Sequence, residues 1–254
     1  MKILLYVSFL GTEFCGYQIQ KNARTVQQTL CEAAKAVFGF DCDITGCSRT
    51  DSGVHANMFC ATLTEHGKSF INTSIPTSKI PIALCNALPS DVSVYFAEEV
   101  DEDFHARYDV EYKEYVYKIF NKQCPDPFWV DRAWHYPRKI DDMSIEKMNQ
   151  AASRFIGKHD FSAYMASGSD IKDTVRTVVD ARVYREGDII VFKVSADGFL
   201  YNMVRIFVGT LIAVAEGKIS PDEIDMITES CDRRRAGITA PASGLYLNRV
   251  VYKK

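Results

Sequence analysis

Apolar residues in this chain of 254 residues recur at two different spacings, and the spacing changes many times from one end to the other. A period of two marks a half-buried strand, and a period near 3.6 marks a helix with one buried stripe, so a chain that keeps switching must mix the two. Ile3 to Leu10, Met58 to Leu63 and Val92 to Ala97 are predicted as strands. Between them Thr25 is placed to cap a helix whose Val26, Leu30, Ala33 and Val37 share a stripe until Gly39 stops it, and Ser78 to Ala87 reads as a second helix. The pattern then starts again. Tyr112, Val116 and Phe120 fall in a strand, and a helix opening at Ser144 and closing at Gly157 carries Ile145, Met148, Ala152 and Phe155 on one side. Strands over Thr174 to Tyr184 and Ile189 to Ser195 flank a hairpin-like turn, Arg185-Glu186-Gly187-Asp188. Leu200 to Ala215 has the widest apolar helical face, and a short helix from Pro221 and a strand over Leu245 to Val251 follow. The order implies an α+β architecture of two related halves, 1–105 and 106–254, although no residue-level repeat accompanies it.

Composition excludes several classes. With 47% hydrophobic and 25% charged residues the chain reads as an ordinary water-soluble protein, and no apolar run is long enough to cross a membrane. The apolar stretch Ile3 to Val7 is too short for an export signal, so a cytoplasmic location is expected. Eight cysteines occur without a CxxC pair or the spacing of a structural zinc site, and reduced thiols are the simplest expectation. A net charge of −3 argues against a uniformly nucleic-acid-binding surface. Charge is unevenly spread, however: residues 1–105 carry 7 Lys and Arg against 12 Asp and Glu, whereas 106–254 carry 23 against 21. An RNA-binding surface would have to be a local patch, with Arg107, Lys113, Arg138, Lys139, Lys158 and the Arg233-Arg234-Arg235 run as candidate phosphate contacts. The same residue types also make ordinary solvated surface.

The densest chemistry lies in Gly46-Cys47-Ser48-Arg49-Thr50-Asp51-Ser52-Gly53-Val54-His55-Ala56, which places an arginine, a carboxylate and a histidine in a turn-forming stretch between two strands. Asp51-Ser52-Gly53 is equally compatible with a plain turn, because Asp and Gly favour turns for backbone reasons. Chemistry alone leaves both readings open. The segment resembles the catalytic motif of the tRNA pseudouridine synthase A family, an Arg-Thr-Asp-Ala-Gly-Val-His core. Further stretches match in the family's order: Gly16-Tyr17-Gln18, Phe104-His105-Ala106-Arg107, Tyr115-Val116-Tyr117, Gly157-Lys158-His159-Asp160-Phe161, Phe199-Leu200-Tyr201-Asn202-Met203-Val204-Arg205 and Gly244-Leu245-Tyr246-Leu247. Three departures fall on Cys47-Ser48, Ser52 and Tyr17, where the family usually has Ala-Gly, Ala and Trp; they bear on loop packing and leave Arg49, Thr50 and Asp51 intact.

The resemblance implies an isomerase that converts uridine to pseudouridine. That reaction breaks the N1–C1′ bond, turns the uracil and rejoins it through C5; it is redox-neutral and moves no phosphate, so no cofactor or metal is expected, in agreement with the lack of a GxGxxG fingerprint or a P-loop. It requires one ionised carboxylate, and the resemblance assigns that role to Asp51, with Arg205 as the cation that keeps it charged against desolvation. Because a stacked base is out of reach, the uridine must be extruded. Tyr115 would then supply a stacking face and a hydroxyl near C5, Arg49 would sit where the base leaves the stack, and Arg107, Lys113 and Leu245 would contact substrate. His55 is not required by this chemistry and reads as structural. The resemblance further implies two halves of RNA-recognition or ferredoxin type, a joined and mainly antiparallel sheet with a central cleft, a homodimer, and a target in the tRNA anticodon stem-loop at positions 38 to 40. Two other readings compete: a non-catalytic RNA-binding protein of the same fold, and a carboxylate-based nucleoside hydrolase that would release uracil.

Overall fold

The computed structural model describes residues 1–168 and 171–253, and these divide into two compact units, 1–111 with 247–253, and 112–168 with 171–246. The first unit begins with β1 (Lys2–Phe9), α1 (Val26–Phe38), β2 (Cys42–Gly46), β3 (His55–Glu65), α2 (Ile80–Cys85) and β4 (Val92–Val100). β1 runs antiparallel to β3 and β4, and β2 antiparallel to β3, so the strands lie in the order β4-β1-β3-β2, the ferredoxin-type arrangement of a βαββαβ chain. The period of two sets the core: Ile3, Leu5 and Val7 are completely buried, while Tyr6 points to the opposite face, meets Phe96 edge-on at 5.3 Å and donates its hydroxyl to Glu98 Oε1 at 2.6 Å. α1 starts and stops where its sequence demands. Thr25 Oγ1 accepts the Gln28 N–H, and Gly39 turns left-handed at φ 80 so that its N–H reaches the Lys35 carbonyl.

The second unit contains β5 (Val110–Phe120) from Tyr112 on, β6 (Trp134–His135), α3 (Asp142–Ser153), β7 (Gly157–Asp160), β8 (Val175–Glu186), β9 (Ile189–Ala196), α4 (Met203–Ala215) and α5 (Glu223–Ser230); the last strand, β10 (Leu245–Tyr252), falls mostly in the first unit. Antiparallel pairing gives the order β5-β9-β8-β7, and the two-residue β6 joins β5 in parallel. The core gathers around Phe207 of α4, which stacks on Phe155 at 3.9 Å and meets Tyr164 at 4.8 Å, Phe161 at 5.5 Å and Phe192 at 6.4 Å. These rings tie the end of α3, α4 and β9 together, each contributing about 2–3 kcal/mol by burial.

The α+β class, with mainly antiparallel strands, agrees with the expectation. Element ends differ for identifiable reasons. α3 is capped by Asp141, whose carboxylate accepts the Ser144 N–H at 2.9 Å, so the helix opens before Ser144. α4 starts at Met203 rather than Leu200 because Asn202 sits at φ 59, outside helical space. Pro81 lies in the first turn of α2, and a separate 3-10 turn, Thr77–Lys79, precedes it. No described helix is long and apolar enough to cross a membrane.

Candidate active site

β2 and β3 separate after the Gly46–Ala61 pair, and residues 47–54 form the loop that holds the candidate carboxylate. Cys47 still belongs to the ladder: it is fully buried, and its N–H donates to the Cys60 carbonyl at 2.8 Å. Beyond it Arg49 is exposed and Asp51 half-buried. The Asp51 carbonyl accepts the Val54 N–H at 3.2 Å, closing a four-residue turn in which Gly53 takes φ 78. The turn that Asp and Gly favour is therefore present, with Asp51 opening it.

A second segment, Gly11 to Tyr17, braces this turn from one side. The Tyr17 N–H donates to the Thr50 carbonyl at 3.1 Å, and the Phe14 carbonyl accepts both the Gly53 N–H at 3.3 Å and the Ser52 hydroxyl at 3.2 Å. The approach demands glycine. A Cβ on Gly11 would lie 2.0 Å from the Val54 carbonyl oxygen, and one on Gly16 would lie 2.7 Å from the Thr50 oxygen on a backbone already at φ 84. Gly11 N–H donates to His55 Nδ1 at 2.9 Å, and His55 is completely buried, which gives this histidine the structural task expected of it. The three departures from the family motif acquire physical roles: Cys47 continues the ladder, Ser52 bonds the brace, and Tyr17 stacks on Phe59 at 4.4 Å with its phenol pushed well above the usual range by burial. Sequence reasoning missed the brace as a whole. Its signal was the pair of glycines flanking Phe14, which match no regular element.

Thr50 presents the one anomaly of the loop. It is 7% exposed, and its hydroxyl has no hydrogen-bond partner among the described residues. An unsatisfied buried hydroxyl costs about 1–3 kcal/mol, and valine has the same shape without it. Thr50→Val is expected to raise the thermal unfolding midpoint, by about 2–4 °C per kcal/mol in a chain of this size. A lower midpoint would show that the hydroxyl is bonded in solution.

The remaining candidates lie elsewhere in the chain. Arg107 is exposed in the first unit, in the connection before β5, where its N–H donates to His105 Nδ1 at 3.0 Å. In the second unit Lys113 and Tyr115 stand two residues apart on one face of β5; Tyr115 is buried and meets Phe199 edge-on at 5.0 Å. Arg205 is held in the first turn of α4. Its Nε donates to the Ala240 carbonyl at 2.7 Å and its Nη1 to Asn202 Oδ1 at 2.6 Å, while its own carbonyl accepts the Ala240 N–H at 3.1 Å. The left-handed Asn202 thus both starts the helix and orients the guanidinium. Leu245 is buried at the start of β10. Of the basic surface residues, Arg138 is paired with Glu216 at 2.7 Å, and Arg234 with Asp232 at 2.8 Å, the latter pairing holding the Asp232 carboxyl down to about 2; Lys139, Lys158 and Arg235 are exposed.

Known proteins resemble this chain along nearly its whole length. The family pattern described as tRNA pseudouridine synthase matches residues 5–109 and 151–253. A tRNA pseudouridine synthase A from Acetivibrio thermocellus is 47% identical over 250 residues, covering 98% of this chain and 99% of that protein. One from Thermoanaerobacter sp. (strain X514) is 46% identical over 252 residues with the same coverage, and the tRNA pseudouridine synthase A 2 of Clostridium perfringens is 42% identical over 250 residues, again covering 98% and 99%. Among solved structures the likeness is looser: a chain in the crystal structure of a Cbf5-Nop10-Gar1 complex matches with TM-score 0.41 and 13% identity, over 96% of this chain and 48% of that one.

Proposed function

The chain belongs to the tRNA pseudouridine synthase family, and from that premise we propose that it isomerises uridine to pseudouridine in the anticodon stem-loop of tRNA, at positions 38 to 40, with Asp51 as the catalytic carboxylate. The observation that carries this reading is the Asp51 turn, a half-buried carboxylate on a loop whose backbone is fixed by the Gly11–Tyr17 brace. A catalytic carboxylate needs that rigidity, because small displacements of a reacting group lose large factors in rate.

In this reading Arg205 keeps Asp51 ionised where water is excluded, and the Asn202 and Ala240 contacts hold its guanidinium ready for that pairing. Tyr115 stacks on the extruded uracil and presents its hydroxyl near C5, while Arg49, exposed one residue before Thr50, occupies the place the base vacates. Arg107, Lys113 and Leu245 contact the RNA. The reaction leaves oxidation state and phosphates untouched, so these side chains suffice without a cofactor. The reading further includes a boundary between the two halves at 105/106, sheets joined around a cleft that receives the base, a homodimer gripping one tRNA, and a cytoplasmic location. Recognition by shape and backbone would let several neighbouring uridines be served.

The test is to incubate the protein with unmodified tRNA transcript and map pseudouridine by carbodiimide labelling and primer extension. Stops confined to positions 38 to 40 are expected. Stops elsewhere would overturn the assignment of target, and tRNA binding without any stop would favour a non-catalytic RNA-binding protein.

A further inference from the structure

The brace that fixes the Asp51 turn is itself fastened from outside by two residues far apart in the chain. Arg24 and Asp91 form a bidentate pair, Nη1 to Oδ2 at 2.8 Å and Nη2 to Oδ1 at 2.9 Å. Their backbones hold the two sides of the brace: the Asp91 carbonyl accepts the Leu10 N–H at 2.9 Å, and the Arg24 carbonyl accepts the Cys15 N–H at 2.8 Å. The Arg24 guanidinium also lies over the Phe14 ring, with Cζ 4.1 Å from its centroid, and Phe14 is the residue whose carbonyl receives Gly53 and Ser52 of the turn. The fork of the carboxylate therefore reaches the turn through three consecutive contacts: Asp91 to Arg24, Arg24 to Phe14, and Phe14 to Ser52 and Gly53.

We propose that Arg24 and Asp91 are positioning residues for the isomerisation, a clamp that acts through Phe14 to set the place of Asp51; the proposal rests on the reading of Asp51 given above. The side chains of the pair are 42% and 22% exposed, so as a surface ion pair it adds little to global stability. Its planarity matters more. A guanidinium can meet both carboxylate oxygens and lie flat on the phenyl ring at once, which the point charge of a lysine cannot do. An arginine near an RNA enzyme's active loop also invites a simpler role as a phosphate contact, and the two roles predict opposite behaviour from Asp91. A clamp fails when either partner is removed, whereas a phosphate contact is released by losing Asp91.

The experiment compares wild type, Arg24→Lys, Arg24→Ala and Asp91→Asn in the full chain for kcat and KM on tRNA transcript, for thermal midpoint, and for amide hydrogen exchange at Tyr17 and Gly53. The clamp predicts that all three variants lose on the order of 10-fold or more in kcat with KM little changed. It also predicts faster exchange at both amides and a thermal midpoint close to wild type. A rise in KM for Arg24→Ala alone, with Arg24→Lys and Asp91→Asn behaving as wild type, would overturn the clamp in favour of a phosphate contact. Unaltered exchange at Tyr17 and Gly53 would overturn it whatever the kinetics. Should wild type itself make no pseudouridine, the isomerase reading fails, and the exchange data still decide whether the clamp fixes the loop.

Discussion

Asp51→Asn is expected to remove isomerase activity, by at least about 10⁴-fold in kcat, while leaving the fold and tRNA binding in place. The size of the effect follows from the chemistry. An amide is neither ionised nor nucleophilic at neutral pH, and the reaction requires an ionised carboxylate that no other residue of the proposed site supplies. The selectivity of the effect follows from the structure: the turn is closed by the Asp51 backbone carbonyl, which accepts from Val54, and the brace reaches Thr50, Ser52 and Gly53. Asparagine is also a good turn-opening residue. The measurement is single-turnover pseudouridine formation alongside a tRNA-binding curve and a thermal melt. Activity within tenfold of wild type would dismiss Asp51 as the catalytic carboxylate, and a collapsed melt would show that the side chain is structural.

Gly209→Val is expected to produce the largest loss of stability. A Cβ at Gly209 would stand 1.8 Å from the Ile238 carbonyl oxygen and 2.7 Å from its carbonyl carbon, and Gly237 on the facing segment would place a Cβ 2.3 Å from the Gly209 carbonyl carbon. α4 and the 237–240 segment thus meet backbone to backbone, with neither side able to yield by rotating a side chain. Overpacking a flexible site costs about 1–3 kcal/mol; here the segments must part, and a larger loss is expected. The same crossing holds the two Arg205–Ala240 hydrogen bonds, so any variant that does fold should also lose activity. Urea unfolding followed by circular dichroism checks this. A denaturation midpoint equal to that of wild type would mean that the close crossing is absent in solution.

Much of the fold can be read from residue spacing. Thr25 and Gly39 bound α1 because each end of a helix has a specific chemical need, and Val26, Leu30 and Ala33 are buried as the helical stripe requires. Elements without such local signals are harder to see. β7, Gly157–Asp160, contains no apolar alternation and is a strand only because β8 pairs with it; β2, Cys42–Gly46, is short and carries Asp43 and Gly46, both poor strand formers. Asn202 gives no warning in sequence that it will turn left-handed and delay α4 by three residues.

The candidate site is legible in a different way. Arg49, Thr50 and Asp51 stand together in sequence and fold together in one loop, so a motif suffices to find them. Arg24, Phe14 and Asp91 come from three separate segments, and only folding brings their side chains into one line. No spacing rule connects residues 14, 24 and 91. His55 sits in the same motif and reads as structural from the chemistry alone, and it is buried with its Nδ1 accepting from Gly11.

Isomerisation is tested most directly on tRNA transcribed with tritium at C5 of uridine. Joining C5 to C1′ expels the C5 hydrogen, so isomerisation releases tritium to water while the RNA keeps its length and mass balance. Wild type is expected to release tritium, Asp51→Asn none, and neither to release free uracil. Release of free uracil with an abasic site would instead establish a hydrolase, and full retention of tritium by an enzyme that binds the tRNA would contradict the isomerase reading itself.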